Sequence, residues 1–266
     1  MGEMIMASNK ERLDVALVRH GLAPSRERAR ALIMAGQVYV GERMIDKAGT
    51  LIPLDATCRV NDLSELKYVS RGGLKLEKAL DTFQLSSDGL IAIDVGASTG
   101  GFTQCLLERG AQRVYAVDVG HGQLAWTLRN DSRVVVMERT NIRHLAELPQ
   151  QAQCAVIDVS FISLRMALPP LVALLVVSPE TWIIALVKPQ FEAGKADVDR
   201  GGGVISDPAI HQRVLDDLQA WIPQQTPFVV VAQTDSPILG RDGNREFLFL
   251  LRFSLSHNPE KRATME

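Results

Sequence analysis

Cysteine is scarce in this chain, with three residues, Cys58, Cys105 and Cys154, spread through 266 positions. An odd, scattered set points away from a disulfide framework, and no Cys or His spacing suits a metal, so no metal site is expected. Free thiols fit a reducing cytoplasm. An excess of charge is missing too: the formal net charge is -2, and residues 1–69 hold ten Lys and Arg against nine Asp and Glu. Nucleic-acid binding would therefore have to come from a local basic patch. There is no unbroken apolar run of bilayer length. The longest candidate, Leu168 to Val187, is interrupted by Pro169, Pro170, Pro179 and Glu180, and reads as a buried helix running into a buried strand. The first residues lack a basic-then-apolar leader, and Met6 stands where a myristoylation signal needs Ser or Thr. No membrane partner is expected. Repeats and low-complexity tracts are also lacking.

What is present divides into two patterns. Residues 11–20 and 25–36 have helical spacing, with Leu13, Ala16 and Leu17 on one apolar face and Ala29, Leu32 and Ile33 on the other. Gly21 and Gly36 provide stops, and Ser25 an N-cap. The following "QVYVGERMI" alternates as strand and turn, with another short strand at Cys58 to Val60. This predicts a compact ααβ unit. Arg26 and Arg30 lie four apart on the second helix, off its apolar stripe, with Arg12, Arg19 and Lys47 on neighbouring elements. These five form a candidate RNA-binding patch, although the same spacing describes an ordinary solvated helix face.

From Leu90 onward, apolar runs alternate with helical stretches: "LIAIDV", "RVYAVDV", "RVVVME", "CAVIDV", "WIIALV", "FVVVAQ" and "EFLFLLRF". These predict an α/β domain with a mostly parallel seven-stranded sheet, whose ligands bind at the carboxyl ends of the strands. The closing strand matches the antiparallel seventh strand of Rossmann-like class I methyltransferases. The region from Asp62 to Val69 separates the two patterns, with residues 67–69 as the linker. The glycine-rich segment from Asp199 to Asp207 is expected near the active site, as a loop ordered by substrate or as plain mobile surface.

The first strand of the α/β domain ends in "DVGASTGGFT". Asp94, Gly96, Ala97, Ser98, Thr99, Gly100, Gly101 and Phe102 therefore form a small-residue turn feeding a helix, where a ligand can approach the backbone. Asp118 ends the next strand, the usual place for a carboxylate that receives ribose hydroxyls, and Val119 follows it. A dehydrogenase would favour a G-x-G-x-x-G turn cradling pyrophosphate. Here the turn reads G-x-x-x-G-G, and Asp94 would repel a pyrophosphate while helping to hold an amino-bearing ligand such as S-adenosylmethionine. Asn141, after the third strand, is placed near the adenine. Gly120, His121 and Gln123 have no fixed role, and His121 serves equally as a loop histidine.

Lys75, Asp158, Lys188 and Glu246 fall where strands end or the second domain begins. A ribose hydroxyl is a poor nucleophile, so methylating it requires deprotonation and strict alignment. Two lysines and two carboxylates can supply both, with Lys188 the leading base candidate. Taken singly, Lys75 also reads as a helix-surface charge, and Asp158 or Glu246 as an ion-pair partner. Phe161 and Phe191 either stack on a base or belong to the core.

The blocks "SRGGLKL", "DVGASTGGFT", "VDVGHGQLAW", "ERTNIR", "DVSFISL", "LVKPQFE" and "GNREFLF" together resemble, in order and spacing, the TlyA ribosomal RNA 2′-O-methyltransferases, long labelled haemolysin A. The resemblance covers nearly the whole chain. It implies an S4-like RNA-binding domain at residues 11–66, an FtsJ-like methyltransferase domain at 70–256 and a tail at 257–266. It also implies a Lys-Asp-Lys-Glu catalytic set on Lys75, Asp158, Lys188 and Glu246, and 2′-O-methylcytidine in ribosomal RNA as the product. In that family the modification makes bacteria susceptible to capreomycin-type antibiotics. Members modify both ribosomal subunits or only the large one. Pro24 and Gln37 stand where relatives can carry basic residues, which implies weaker rRNA affinity. Residues 67–69 would couple RNA docking to the catalytic set. Rival readings are a methyltransferase for another RNA, a non-catalytic ribosome-assembly factor, and a membrane lysin, for which no amphipathic or spanning segment is found.

Overall fold

Leu13, Ala16 and Leu17 recur on one face of α1 (Leu13–Arg19), and their burial against Ala29, Leu32 and Ile33 of α2 (Arg26–Met34) makes the core of the N-terminal unit. Gly21 and Gly36 follow these helices at φ +70 and +69, the left-handed conformation that glycine adopts without a steric penalty. The Ser25 hydroxyl accepts from Arg28 N at 3.1 Å, capping α2. The helix expected from residue 11 begins two residues later. Lys10–Arg12 is instead a strand, β1, antiparallel to β4 (Leu51–Pro53). Its residues alternate in exposure, as a strand edge allows and a helical stripe does not. A second small sheet places β2 (Val38–Val40) between β3 (Arg43–Ile45) and β5 (Cys58–Val60).

The computed structural model describes residues 9–34, 36–45, 47–60, 67–240 and 243–254. Residues 61–66 of the expected first domain and the expected tail at 257–266 lie outside the described residues. The chain divides into two units, Met1–Arg71 and Gly72–Glu266.

The second unit begins with α3 (Gly72–Phe83) and is built on a seven-stranded sheet. Its strands are β6 (Ile91–Val95), β7 (Arg113–Val117), β8 (Val134–Met137), β9 (Cys154–Ile157), β10 (Trp182–Val187), β11 (Phe228–Asp235) and β12 (Phe247–Phe253), in the order β11-β12-β10-β9-β6-β7-β8. β6 to β10 run parallel, and β12 lies antiparallel between β10 and β11. The expected α/β fold and its antiparallel closing strand are both present. β6, β9 and β10 are buried along their whole length, as their unbroken Val, Ile, Leu and Ala runs require of strands covered on both faces.

The chain leaves β6 toward β7 and β8, then returns to build β9 and β10 on β6's other side. Strand order therefore reverses beside β6, and the crevice at the carboxyl ends of β6 and β9 is where such a sheet binds ligands. The apolar stretch from Leu168 is the short helix Leu171–Leu174, a connection in which Leu175 bridges to Ala152, and then β10. Among the described residues no helix is long and apolar enough to cross a membrane.

Candidate active site

The turn after β6 is shaped by glycine. Gly96 has φ +86, and a Cβ there would collide with the backbone carbonyl of Asp158; at Gly100, φ +95, one would strike Leu124 and Leu128. Only glycine permits both the backbone conformation and the close approach of the β9 terminus. Gly96 N and Ala97 N donate to Val117 O at 2.8 and 3.1 Å, tying the turn to β7, and Gly101 and Phe102 open α4 (Gly101–Glu108). Ser98 and Thr99 occupy the middle of the turn, Ser98 exposed and Thr99 buried.

Asp94 lies in β6 beneath this turn and is fully buried. Thr103 Oγ1 donates to its Oδ2 at 2.6 Å, while Oδ1 has no hydrogen-bond partner among the described residues. Burial, opposed by the Thr103 hydrogen bond and assisted by nearby Asp158 and Asp118, raises the Asp94 pKa to about 7. A buried carboxylate oxygen without a donor matches an amino-bearing, cationic ligand. Asp118 accepts from Ser98 N at 2.8 Å and from Gly120 N at 2.6 Å, so the ribose-hydroxyl candidate also holds the turn in place. Val119 is exposed beside it. Asn141 Oδ1 accepts from Arg143 N at 3.1 Å and starts the 3-10 turn Ile142–His144.

The loop between Gly120 and Gln123 rests on a residue the sequence did not single out. Glu138 accepts from Gln123 N at 3.2 Å and from Arg129 Nη2 at 2.5 Å, and it contacts His121 Nδ1 at 3.1 Å. Burial opposes its ionisation, yet Gly122 and Gln123 backbone donors and Arg129 hold its pKa down at about 2.

Lys75 and Lys188 are buried lysines with carboxylate partners. Lys75, on α3, pairs with Glu246 just before β12, and each is under one-tenth exposed, so neither is a helix-surface charge. Lys188 Nζ lies 2.5 Å from Asp158 Oδ1 and donates to Ser160 Oγ at 2.9 Å. Burial disfavours the Asp158 anion, but the positive charges of Lys188 and Lys75 and the Lys188 hydrogen bond outweigh it and hold its pKa below the usual carboxylate range. Lys75 thus acts on Asp158 through space, so the two ion pairs influence each other electrostatically. Asp158 also abuts Gly96, so this cluster adjoins the glycine turn.

Phe161 is 77% exposed at φ +66, and its ring lies 5.2 Å from that of Phe191. That exposure removes Phe161 from the core. A bulky residue in the left-handed region is a genuine outlier held by its surroundings. The glycine-rich segment after the helix Lys195–Arg200 is partly pinned: Asn244 accepts from Ile205 N at 2.9 Å and donates to Gly203 O at 3.1 Å.

In the N-terminal unit the five candidate RNA-binding cations differ in their partners. Arg12, Arg26 and Arg30 converge on Asp14, whereas Arg19 pairs with Glu11 and donates to Leu54 O at 2.8 Å. Lys47 is exposed. Gln37 is buried, so its side chain offers solvent nothing at a position where relatives can carry a basic residue. Among the described residues no His, Cys, Asp and Glu cluster could hold a metal ion.

Residues 68–253 match the FtsJ-like methyltransferase family, and residues 11–57 match the S4 domain. The 16S/23S rRNA (cytidine-2′-O)-methyltransferase TlyA of Mycobacterium tuberculosis is 44% identical over 92% of this chain and 91% of its own. Hemolysin A of Brachyspira hyodysenteriae is 41% identical over 89% of this chain and 98% of its own. A solved structure of a hemolysin-labelled protein from Streptococcus thermophilus superposes with a TM-score of 0.70 at 45% identity, covering 94% of this chain and 90% of the other.

Proposed function

Because the chain belongs to the FtsJ-like methyltransferase family, with TlyA-named rRNA methyltransferases among its relatives, we propose that it methylates the 2′-hydroxyl of a cytidine in ribosomal RNA using S-adenosylmethionine. The observation that carries this reading is the cluster of two buried ion pairs, Lys75 with Glu246 and Lys188 with Asp158, set against the glycine turn. A protein that only bound RNA would have no use for two buried lysines at a ligand crevice.

Gly96 to Phe102 would cradle the cofactor, and the unpartnered Asp94 oxygen would receive its α-ammonium group. Asp118 would take the ribose hydroxyls, with Val119 and Asn141 on the adenine side. When bound, S-adenosylmethionine supplies an electrophilic methyl group on a sulfonium centre. The chain's own task is to align the hydroxyl and accept its proton, which becomes strongly acidic as the oxygen bonds to carbon. Lys188, as the neutral amine, is the acceptor. Ser160 and Asp158 hold its Nζ in place, and the Asp158 carboxylate offsets the charge of the ammonium that results. Lys75, fixed by Glu246, keeps a second cation beside Asp158 and orients the hydroxyl. Phe161 offers an exposed ring for stacking on the target base. The N-terminal unit, an S4 domain, would hold the rRNA through its basic side chains. The site of action is accordingly the cytoplasm, where ribosomal subunits are found.

The test is transfer of a labelled methyl group from S-adenosylmethionine to separated ribosomal subunits, with wild type and a folded Lys188→Ala variant side by side. The expected result is label on a cytidine ribose of the large subunit with wild type, and a loss of at least about a hundredfold with the variant. Label on the small subunit as well would define dual specificity. Cofactor binding without label on either subunit would redirect the reading to another RNA, and no cofactor binding would overturn it.

A further inference from the structure

Asp14 is fully buried in the first turn of α1, and its carboxylate meets three arginines. Arg12 grips it twice, Nε to Oδ1 at 2.9 Å and Nη2 to Oδ2 at 3.1 Å. Arg26 Nη2 and Arg30 Nε each reach Oδ2 at 3.1 Å. The guanidiniums arrive from two elements, Arg12 from the end of β1 and the others from successive turns of α2. Burial opposes ionisation of Asp14, but hydrogen bonds from all three arginines outweigh it and hold the carboxyl far below its ordinary range. The carboxylate is thus ionised at any working pH.

Neutralising one buried carboxylate needs one cation, and the chain gathers three. The surplus is two positive charges, on side chains that are 43%, 53% and 51% exposed. Four N–H donors are committed to Asp14, out of five on each guanidinium, so most remain available to an outside anion. Like charges brought this close would spread apart without a shared counter-ion. Arg19 is the contrast, since Glu11 balances its charge singly at the surface. Gly49 contributes space: a Cβ there would press on the Arg12 guanidinium at 3.3 Å. Exposed Lys47 belongs to the same turn, whose Ala48 O accepts from Asp14 N at 3.2 Å.

We propose that Asp14 is the positioning residue of a phosphodiester-binding site formed by Arg12, Arg26 and Arg30, and that Arg19 lies outside that site. The array presents fixed, charge-assisted donors to one phosphate of an RNA backbone. A negative charge is therefore needed to bind a polyanion well. This rests on the RNA-binding reading of the N-terminal unit.

The test measures binding of the full-length protein to ribosomal RNA at several salt concentrations. Asp14→Asn and Glu11→Gln each remove one negative charge. If charge alone matters, both bind more tightly. The proposed array requires Glu11→Gln to bind as wild type or tighter, and Asp14→Asn to bind about tenfold more weakly, the scale of one lost charge-assisted hydrogen bond. Arg30→Lys is the second variant, half exposed and of unchanged net charge, and it decides the matter if Asp14→Asn does not fold. It is expected to weaken binding severalfold because a lysine cannot span Asp14 and a phosphate. Affinity for Asp14→Asn equal to that of Glu11→Gln, or wild-type affinity for Arg30→Lys, would overturn the proposal. Full affinity after changing Arg12, Arg26 and Arg30 together to Gln would overturn the proposal too, whereas no measurable binding of rRNA by the wild type would overturn the RNA-binding reading itself.

Discussion

Glu192 accepts a hydrogen bond from the Ser163 hydroxyl at 2.5 Å, and its other oxygen accepts from Leu164 N at 2.6 Å. This contact is the far end of a lacing between two loops. Lys188 meets Asp158 and Ser160, Phe191 meets Phe161, and Glu192 meets Ser163. The left-handed backbone of Phe161 is held between these fixed points. Burial raises the Glu192 pKa, against the opposing pull of Ser163, Leu164 and Arg165.

Glu192→Ala should therefore loosen residues 158–164 while leaving the cofactor turn intact. The expected outcome is a fall in kcat of about tenfold or more at unchanged cofactor affinity, with a stability loss of roughly 2–3 kcal/mol for the stranded donors. Glu192→Gln keeps a carbonyl for Leu164 N and should recover most of the rate. Equal kcat for folded Glu192→Ala and wild type would sink the idea.

Lys75 and Glu246 should behave as a buried pair whose separation costs more than its removal. Lys75→Met or Glu246→Gln alone leaves an uncompensated charge, at a cost of about 3–5 kcal/mol. The double variant should regain much of that stability in denaturant unfolding while methyl transfer stays abolished. Additive destabilisation would show that the pair is not coupled in the way its geometry requires.

Asp94 should make the free protein's stability and its cofactor affinity depend on pH in opposite directions. Its folded pKa of about 7 lies above the unfolded value, so the folded state holds the extra proton between those limits. Stability then declines as pH rises through roughly 4 to 7, by up to about 4 kcal/mol, and levels off above. An ionised Asp94 is what an ammonium group needs, so S-adenosylmethionine affinity should rise from pH 6 to 8. Isothermal titration across that range checks it. Asp94→Asn should bind weakly with no such slope, and an unaltered slope in that variant would assign the titration elsewhere.

How much of this was legible beforehand depends on distance along the chain. The seven strands and the glycine turn are written in contiguous residues, because apolar runs and small-residue turns are local signals. Helical spacing starts the N-terminal helix two residues early, since Glu11 and Arg12 fit either periodicity and only pairing with Leu51 to Pro53 makes them a strand. Among the catalytic candidates, strand-end position singled out Asp158 and Lys188, but not which carboxylate each lysine would meet. Asp14, Glu138 and Glu192 carried weaker marks. Each is a lone carboxylate amid apolar or basic neighbours, and its importance comes from partners that only the folded chain assembles. Asp14 did carry one readable hint, an acid in the first turn of a helix whose neighbours are Leu13, Ala16 and Leu17.

The pairing of Lys75 with Glu246 spans 171 positions, from the first helix of the second unit to the threshold of its last strand. During synthesis, α3 and its lysine emerge long before any counter-ion for them exists. β12 must then slot between β10 and β11, a late, non-local step of the kind that slows folding. On the proposed catalytic roles of Lys75 and Glu246, reactivity would be withheld from every partial chain that lacks the final strand. A nascent enzyme emerging from a ribosome would then be unable to methylate its own birthplace until that strand is in place.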